Sequence, residues 1–148
     1  MGPERLKRAA AEVIRDCIAT RLRMANRVIT KVYDDALRPF GLRVTQMSML
    51  VVAADRGLIR QTEIGSELQL DDSTLSRNLE RMRANGWLEE VSGEDARVHS
   101  YRLTVAGRTL LVRALPAWKG AQKEANRLLG DAGVQALRRF VIEQGFDA

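Results

Sequence analysis

Residues 61–104 decide the fold of this 148-residue chain, and they read QTEIGSELQLDDSTLSRNLERMRANGWLEEVSGEDARVHSYRLT. The stretch predicts two helices and a β-hairpin. Thr62 is expected to cap a short helix over 63–69, and Asp71 is expected to cap a helix that runs to Asn85. A glycine ends that second helix, and residues 88–91 and 100–103 then predict two strands joined by a turn. This order predicts a helix-turn-helix followed by a wing.

Helices flank this stretch on both sides. Apolar residues recur at spacings of three and four from Val13 to Leu37, which predicts one helix of about 27 residues. Such a helix exceeds what a small domain needs for its own core, so part of its apolar stripe is expected to face a partner chain. Further helices are predicted over 44–54, over 105–129 with a bend at Pro116, and from Asp131 onward. The predicted inward side chains of the helix over 44–54 are Met47, Leu50, Val51 and Ala54.

The composition excludes several classes of protein. The chain has one cysteine and one histidine, which leaves no disulfide framework, no multi-histidine metal site and no histidine-based catalytic triad. We therefore predict a protein that is not an enzyme and that has no catalytic residues, no metal and no cofactor. No apolar run approaches the roughly 18 residues of a membrane-spanning helix, and the N-terminus lacks an apolar signal segment. The expectation is a cytoplasmic protein without a membrane partner.

The charge balance is compatible with a nucleic-acid partner but does not locate the binding surface. The net charge is +5, and a basic excess is typical of proteins that bind nucleic acid. Residues 71–104, however, carry five arginines and seven acidic residues. The hypothesis of a DNA-binding protein therefore depends on where individual side chains lie rather than on bulk charge.

One face of the second helix has the composition of a DNA-reading surface. At about 100° per residue, Leu75, Leu79 and Met82 share one narrow sector and are expected to face the core. The predicted DNA-binding side chains on the outward face and its flanks are Ser73, Thr74, Ser76, Arg77 and Arg81. Small hydroxyl side chains allow close approach to the major groove, and an arginine can form two hydrogen bonds with guanine. Serine and threonine are also ordinary helix caps, and an arginine on an outer face is usually only solvated. This face alone therefore leaves open both a DNA-reading surface and an ordinary solvated helix.

The tip of the hairpin predicts a second contact with DNA. Asp95 and Arg97 lie two residues apart in the loop. An arginine on a protruding loop can enter the minor groove, and a nearby carboxylate can hold its guanidinium in one geometry. The alternative is a turn-forming aspartate beside a solvated arginine.

Neighbouring side chains carry expectations of their own. Gln61 and Thr62, at the start of the short helix, complete the predicted DNA-binding set. His99, near the base of the wing, is expected to lie on the surface or to pair with the neighbouring strand. Three glutamates would repel phosphates and are expected to point away from DNA. They are Glu89, Glu90 and Glu94.

Two motifs at a defined spacing resemble those of a known family. The first is Asp followed by Ser-Thr-hydrophobic-Ser-Arg, which occupies residues 72–77. The second is Asp-x-Arg, then Leu-Thr and then Gly, which is present as Asp95, Arg97, Leu103, Thr104 and Gly107. Together they resemble the multiple antibiotic resistance regulator (MarR) family of winged helix-turn-helix proteins. The resemblance covers roughly residues 13–145.

The resemblance implies an obligate homodimer that binds a pseudo-palindromic operator in double-stranded DNA, with half-sites about one helical turn apart. It also implies a repressor that is released by a small aromatic or phenolic effector or by oxidation. The predicted fold is mainly α with a small β-hairpin wing. It is expected to form one intertwined domain, with an N-terminal dimerisation helix in 1–40, a DNA-binding lobe in 41–104 and C-terminal dimerisation helices in 105–148. The chain departs from the family at Arg43 and Met47, where a threonine and an aromatic residue are common.

A sensor function has two sets of candidate residues. The candidates for an effector pocket are Arg27, Tyr33, Met47 and Trp118. Plain core packing is the alternative for that set. Cys17 is a candidate redox sensor because Arg15 and Arg21 are near enough in sequence to lower its pKa, and its alternative is packing in the core as a small apolar side chain. For the whole protein, the alternative is a winged-helix module for protein–protein contact, which would tolerate the loss of Arg77 and Arg97.

Overall fold

The computed structural model describes residues 2–93, 95 and 97–146, and these are mostly helical. In chain order the elements are α1 (Pro3–Asp16), α2 (Ile18–Leu37), α3 (Val44–Arg56), β1 (Leu58–Arg60), α4 (Gln61–Leu68), α5 (Asp72–Ala84), β2 (Leu88–Ser92), β3 (His99–Leu103) and α6 (Val105–Glu143). The three strands form one antiparallel sheet in the order β1-β3-β2. The predicted fold class, mainly α with a small wing, is confirmed.

The N-terminal apolar stripe forms two helices, which corrects the prediction of one. Cys17 separates α1 from α2, because its backbone ψ of 106° is extended rather than helical. Neither glycine nor proline marks this position, so the apolar periodicity continues across the break. α1 buries none of its residues, and α2 buries only Leu37. The exposed apolar side chains of α1 and α2 include Leu6, Val13, Ile14, Ile18, Leu22 and Val28.

The inward face of α3 corrects part of the prediction. Met47 and Leu50 are buried as expected, whereas Val51 is 46% exposed and Ala54 is also exposed. The residues buried in their place are Met49, Val52 and Ala53. Nearly every position from 47 to 54 is apolar, so periodicity alone did not single out one face.

A third strand, β1, is absent from the sequence-based prediction. Leu58–Arg60 pairs antiparallel with β3, and three residues carry too little local pattern to predict a strand whose partner lies far along the chain. The strand also changes where α4 begins. The helix starts at Gln61, and the Arg60 N–H donates to Glu63 Oε2 at 2.8 Å. Thr62 therefore lies inside the first turn, and its predicted capping role is wrong.

Thr104 and Gly107, the last two residues of the wing motif, connect the wing to α6. Thr104 Oγ1 donates to the Gly86 carbonyl at 2.6 Å and accepts from the Gly107 N–H at 3.0 Å. A Cβ atom at Gly107 would lie 2.1 Å from the Trp87 carbonyl oxygen. Only a residue without a side chain lets α6 pass this close to the hairpin. These two motif residues therefore set the position of the wing relative to α6.

Gly130 interrupts α6, as the sequence predicts. Its dihedrals, φ 69° and ψ 164°, are non-helical, and a new helical run begins at Asp131. No other residue within α6 has non-helical dihedrals, so the bend at Pro116 stays a prediction. α6 packs along α2. The exposed apolar side chains toward the C-terminus are Leu128, Leu137, Phe140, Ile142 and Phe146.

One hydrophobic core lies between α3, α5, the sheet and the first part of α6. Leu75, Leu79 and Met82 are each at most 2% exposed, which confirms the predicted inward face of α5. Among the described residues, no helix combines the length and the apolar composition required to cross a membrane. The division into parts at residues 40 and 104 stays a prediction.

Candidate nucleic-acid interface

The start of α5 is capped by Asp71, as predicted. Asp71 Oδ1 accepts from the Thr74 N–H at 2.8 Å, and Oδ2 accepts from the Thr74 hydroxyl at 2.6 Å. These two bonds, the hydroxyl bond first, lower the pKa of Asp71 below its ordinary value. Thr74 is half-buried, and its hydroxyl proton is already donated within the chain. The Thr74 side chain therefore has a structural role at the start of α5.

The outward face of α5 presents the remaining predicted residues to solvent. Ser73, Ser76, Arg77 and Arg81 are all exposed. Ser73 and Arg77 lie opposite the buried leucines, and Ser76 and Arg81 lie on the flanks of that face. Arg77 Nε donates to the Ser73 carbonyl at 3.2 Å, so the arginine side chain lies back along the first turn of α5. Small hydroxyls and one arginine thus share the N-terminal half of an exposed helical face.

The loop of the wing holds Asp95 and Arg97 as a pair. The Arg97 N–H donates to Asp95 Oδ1 at 3.0 Å, while Nε and Nη2 of Arg97 donate to Oδ1 at 3.1 Å and Oδ2 at 3.2 Å. The Arg97 side-chain bond, followed by the backbone bond, lowers the pKa of Asp95. The Arg97 side chain is nevertheless 91% exposed. Its guanidinium is therefore oriented by a carboxylate while it remains accessible to a ligand.

The acidic residues of the hairpin are offset by cations of the same chain. Glu89 Oε1 accepts from Arg102 Nε at 2.6 Å across the two strands. Glu90 Oε2 lies 2.9 Å from Arg83 Nη1, at the last turn of α5. These pairs reduce the repulsion that bare carboxylates would exert on phosphates. Glu94, the third predicted glutamate, lies outside the described residues.

A cleft of about 630 Å³ separates the helix-turn-helix from the wing. Its walls include the predicted residues Gln61, Thr62 and Arg97, together with Asp71 and Asp72 at the start of α5. The exposed predicted residues of α5 are not among its lining residues; they are Ser73, Ser76, Arg77 and Arg81. Gln61 Oε1 accepts from the Tyr101 hydroxyl at 3.3 Å, so its amide nitrogen is the group left for a ligand. The structure thus brings the start of α4, the start of α5 and the wing tip to one concave surface.

Two basic side chains on this cleft lie outside the predicted DNA-binding set. Arg60 and His99 both contribute to its walls. Arg60 belongs to β1, whose existence the sequence did not reveal. His99 begins β3, beside the loop rather than at the base of the wing, and its alternation with Tyr101 and Leu103 was the available signal for its face.

The predicted effector residues do not meet in one cavity. Met47 is 2% exposed and belongs to the hydrophobic core. Tyr33 and Trp118 pack with ring centroids 6.4 Å apart and planes tilted by 40°. The Tyr33 hydroxyl donates to Gln122, and burial raises the pKa of Tyr33. Because Arg27 lines a separate groove, the four residues form no single binding site.

That groove lies between α2 and the start of α3 and has a volume of about 670 Å³. Its cationic residues are Arg23, Arg27, Lys31, Arg38 and Arg43. Asp35 forms ion pairs with Lys31 and Arg38, and the Lys31 hydrogen bond is the largest cause that lowers the pKa of Asp35. Asp34 pairs with Arg43 at 3.3 Å. Within the described part of the chain, Arg23 and Arg27 form no ion pair, which leaves a positive groove.

Cys17 lies at the break between α1 and α2 and not in the core, so the prediction of core packing is wrong. Its side chain is half-buried, and it occupies the N-cap position of α2. A hydrogen bond from the Thr20 side chain is the largest cause that lowers the pKa of the Cys17 thiol, followed by the Thr20 backbone N–H. Over residues 2–93, 95 and 97–146, no three His, Cys, Asp or Glu side chains are grouped to hold a metal ion.

The fold of the chain matches that of known regulators. The family model described as MarR family matches residues 40–98. The crystal structure of the M. tuberculosis transcriptional regulator MosR in complex with DNA superposes with a TM-score of 0.77 at 36% sequence identity. The match covers 88% of this chain and 94% of that one. The chain belongs to the MarR family.

Other relatives of this MarR-family chain agree. A probable transcriptional regulator from Pseudomonas aeruginosa has a TM-score of 0.77 and 25% identity over 88% of this chain and 98% of that one. A mutant of E. coli MarR complexed with operator DNA has a TM-score of 0.77 at 20% identity, over 88% and 95% of the two chains, which shows the shared fold. An uncharacterized HTH-type transcriptional regulator of Bacillus subtilis is 38% identical over 71 residues, which is 48% of this chain. That match spans 52% of the relative, about half of its length.

The helices and strands of the lobe correspond to the parts of a MarR-family winged helix-turn-helix. α4 and α5 form the helix-turn-helix, and β2 and β3 form the wing, with β1 as a third strand beside it. The predicted membership of the family is therefore confirmed. The individual site residues stay predictions.

Proposed function

We propose that this MarR-family chain is a homodimeric regulator that binds a pseudo-palindromic site in double-stranded DNA. One observation carries the proposal, which is that the first turn of α5 and Arg97 of the wing line the same cleft. A winged helix-turn-helix binds DNA by placing its second helix in the major groove and its wing beside the adjacent backbone or minor groove. The relatives MosR and E. coli MarR were both crystallised with DNA, which supports the proposal.

Each proposed contact follows from the chemistry of the exposed groups. Ser73 and Ser76 are small enough to let α5 approach the base edges, and Arg77 can donate two hydrogen bonds to guanine. The positive end of the α5 dipole attracts a phosphate. Arg97, oriented by Asp95, enters the minor groove. Gln61 and Thr62 at the start of α4 contact the backbone, and Arg81 contacts it one turn farther along α5.

The test is a comparison of arginine variants in DNA binding. Duplexes selected by the protein from a randomised pool serve as the probe. Arg77→Ala is expected to weaken binding by about 1–3 kcal/mol and to relax specificity at one base position. Arg97→Ala is expected to weaken binding with a smaller change in specificity. Fluorescence anisotropy across a salt series measures both, and log K should fall with log salt by about 0.9 per phosphate contact.

Arg127→Ala is the matched control, because Arg127 lies on α6 and pairs with Glu124. It should leave the DNA affinity unchanged. Binding that ignores salt, or that tolerates the loss of both Arg77 and Arg97, would instead favour a module for protein–protein contact.

We infer the homodimer from the exposed apolar side chains of the terminal helices. Ile14 is 76% exposed, Ile18 is 67% exposed and Phe140 is 56% exposed. Helices with apolar stripes of this kind are stable when a second surface covers them. In a two-fold dimer, two copies of α5 would enter successive major grooves about one helical turn apart. Sedimentation of the full chain should therefore give twice the monomer mass at micromolar concentration.

We further propose that the dimer is a repressor and that a small anionic aromatic or phenolic effector releases it from DNA. The groove beside Arg27 supports this proposal, because Arg23 and Arg27 are available to pair with a carboxylate or phenolate. The groove also borders the junction between the helices and the lobe. Asp34 Oδ1, on α2, accepts from the Val44 N–H at 2.8 Å and so joins α2 to α3. An anion that competed for these groups would alter that junction.

A panel of hydroxybenzoates tests the effector proposal. At least one member should lower the DNA affinity of the full-length protein, and the double variant Arg23→Gln with Arg27→Gln should lose that response. The variant should still bind DNA without the additive. Release that persists in the double variant would place the effector elsewhere, and no release by any phenolic anion would contradict the proposed effector class.

A redox-sensing regulator is the second candidate, and the position of Cys17 favours it. A thiol at the N-cap position of α2, whose pKa is lowered by Thr20, is more readily deprotonated than a buried one. The thiolate sulfur would attack a hydroperoxide, the O–O bond would break, and the alcohol would leave after taking up a proton. The product is a sulfenic acid at Cys17, at the junction of α1 and α2.

Peroxide titration of the protein–DNA complex distinguishes the two candidates. For a redox sensor, cumene hydroperoxide should release the DNA from the wild type and not from Cys17→Ser. If both proteins keep their DNA, Cys17 is not a sensor. Release from both proteins would assign the effect to another group, for instance a methionine.

A further inference from the structure

His99 lies where α5, the wing and the cleft meet. It is the single histidine of the chain, and it begins β3 on the same face as Tyr101 and Leu103. Those two residues are 4% and 5% exposed, whereas the His99 side chain is 53% exposed and lines the cleft. This face of β3 therefore leads from the hydrophobic core outward to an imidazole on the proposed DNA-binding surface.

Glu90 holds the imidazole by one of its two nitrogens. Glu90 Oε1 contacts His99 Nδ1, and Glu90 Oε2 lies 2.9 Å from Arg83 Nη1 on α5. A carboxylate can only accept, so Nδ1 must carry the proton in this contact. In the neutral ring Nε2 is then an acceptor, which cannot bind a phosphate oxygen. In the charged ring Nε2 is a donor as well, and it is the nitrogen left for a ligand.

The positive and negative charges that face the cleft nearly balance. Protonation of His99 would therefore shift the net charge of the cleft toward positive. Arg60, from β1, and Arg97, from the wing loop, are the cations, while Asp71 and Asp72 come from the start of α5. Arg97 is already paired with Asp95. On the side of the wing, the groups in contact with His99 are Glu90 and, through it, Arg83. Protonation of His99 would add positive charge and would also neutralise the field of Glu90 toward DNA.

We propose that His99 is a further DNA-contacting residue that binds a backbone phosphate in its charged form, so that DNA affinity rises as the pH falls. Histidine is the side chain that ordinarily changes charge between about pH 5 and 8. The proposal rests on the proposed DNA-binding function and adds a pH response to it. Because the chain has one histidine, a single substitution removes every imidazole.

The test is anisotropy of a labelled duplex of about 30 base pairs, long enough for two half-sites one helical turn apart. Wild type, His99→Gln and His99→Lys are compared at several pH values and salt concentrations. Wild type should bind roughly three- to tenfold more tightly at the acid end than at the alkaline end. His99→Gln should bind weakly and His99→Lys tightly, both with little dependence on pH. The wild-type salt slope should steepen by about 0.9 at acid pH, since one phosphate contact is gained.

Two control variants separate this effect from general ones. Arg102→Gln removes a cation from the opposite face of β3 and should keep the pH response. Cys17→Ser removes another group that can change charge near neutral pH and should also keep it. An unchanged pH response in His99→Gln would overturn the proposal while leaving the DNA-binding function intact. Absence of binding to any duplex by the wild type would instead contradict the proposed function itself.

Discussion

α5 and the pair α1–α2 carry similar apolar stripes, yet they bury them to opposite degrees. Leu75 and Leu79 of α5 are each 2% exposed, because β2 and α4 pack against this helix. Ile14 and Ile18, on either side of the break at Cys17, are 76% and 67% exposed. The same helical periodicity thus leads to a filled core in one region and to an uncovered surface in the other.

Helical periodicity therefore reports which face of a helix is apolar and not what will cover that face. In the lobe the covering elements belong to the same chain, and the polar helix ends are satisfied locally, as Asp71 and Thr104 show. In a single chain the apolar side chains of α1 and α2 stay exposed, which supports the proposed dimer. Four variants test this contrast.

The largest effect is expected for Leu79→Ala in the lobe. Removal of a fully buried leucine should lower the free energy of unfolding by about 2–5 kcal/mol, because it leaves a cavity in packed surroundings. Urea unfolding followed by tryptophan fluorescence measures the loss. Glu80→Ala, the exposed neighbour on the same helix, is the control and should change little. A cost below that of an average surface substitution would contradict the assignment of Leu79 to the core.

A charged side chain on the exposed apolar stripe of α1 and α2 should weaken the dimer and leave the lobe folded. Leu22 is 55% exposed on α2, so Leu22→Glu removes little packing within a single chain. In a dimer it would remove a buried apolar side chain, worth about 1.5–3 kcal/mol, from each copy. Sedimentation equilibrium should show a dimer that dissociates at least tenfold more readily, with the lobe still folded. Leu22→Met is the size-matched control, and an unchanged dimer would mean that the stripe is covered by something else.

A smaller effect is expected at the joint between the wing and α6. Gly107→Ala would place a Cβ atom 2.1 Å from the Trp87 carbonyl oxygen, and relief of that clash should cost about 1–3 kcal/mol. Gly120→Ala, where a Cβ would meet nothing within 4 Å, is the matched control on the same helix and should be neutral or stabilising. Equal effects of the two variants would show that the joint is not tightly packed.

The smallest effect is expected from the cap of α5, and it depends on pH. The folded pKa of Asp71 is lowered by the Thr74 hydroxyl and N–H, so the stabilisation is present above its unfolded pKa of about 3.9 and is lost as the pH falls further. Asp71→Ala should therefore lower the Tm modestly at pH 7, and its difference from wild type should shrink below about pH 4. Differential scanning calorimetry at both pH values provides the measurement. A constant difference would rule out the carboxylate as the cause.

The success of the sequence-based prediction varied with the distance over which the relevant interactions act. α5, its cap at Asp71, its buried face and the two strands of the wing follow from contacts within a few residues, and all are present in the structure. The strand β1 and the break at Cys17 were not predicted. Arg60 and His99 lie together on the cleft because β1 and β3 pair although they are far apart in the chain.

The order of helices and wing, the cap and buried face of α5, and the two motifs that resemble the MarR family could be recognised in the amino-acid sequence. Which basic side chains line the cleft, which face of α3 is buried, and where the effector candidates lie depended on the folded chain. Periodicity and the cap of α5 act over one or two helical turns, so they can be recognised in the sequence. The predicted cap at Thr62 failed because β1 shifts the start of α4. Strand pairing and side-chain burial join segments far apart in the chain, such as residues 58–60 and 100–102, and become visible only when the chain has folded.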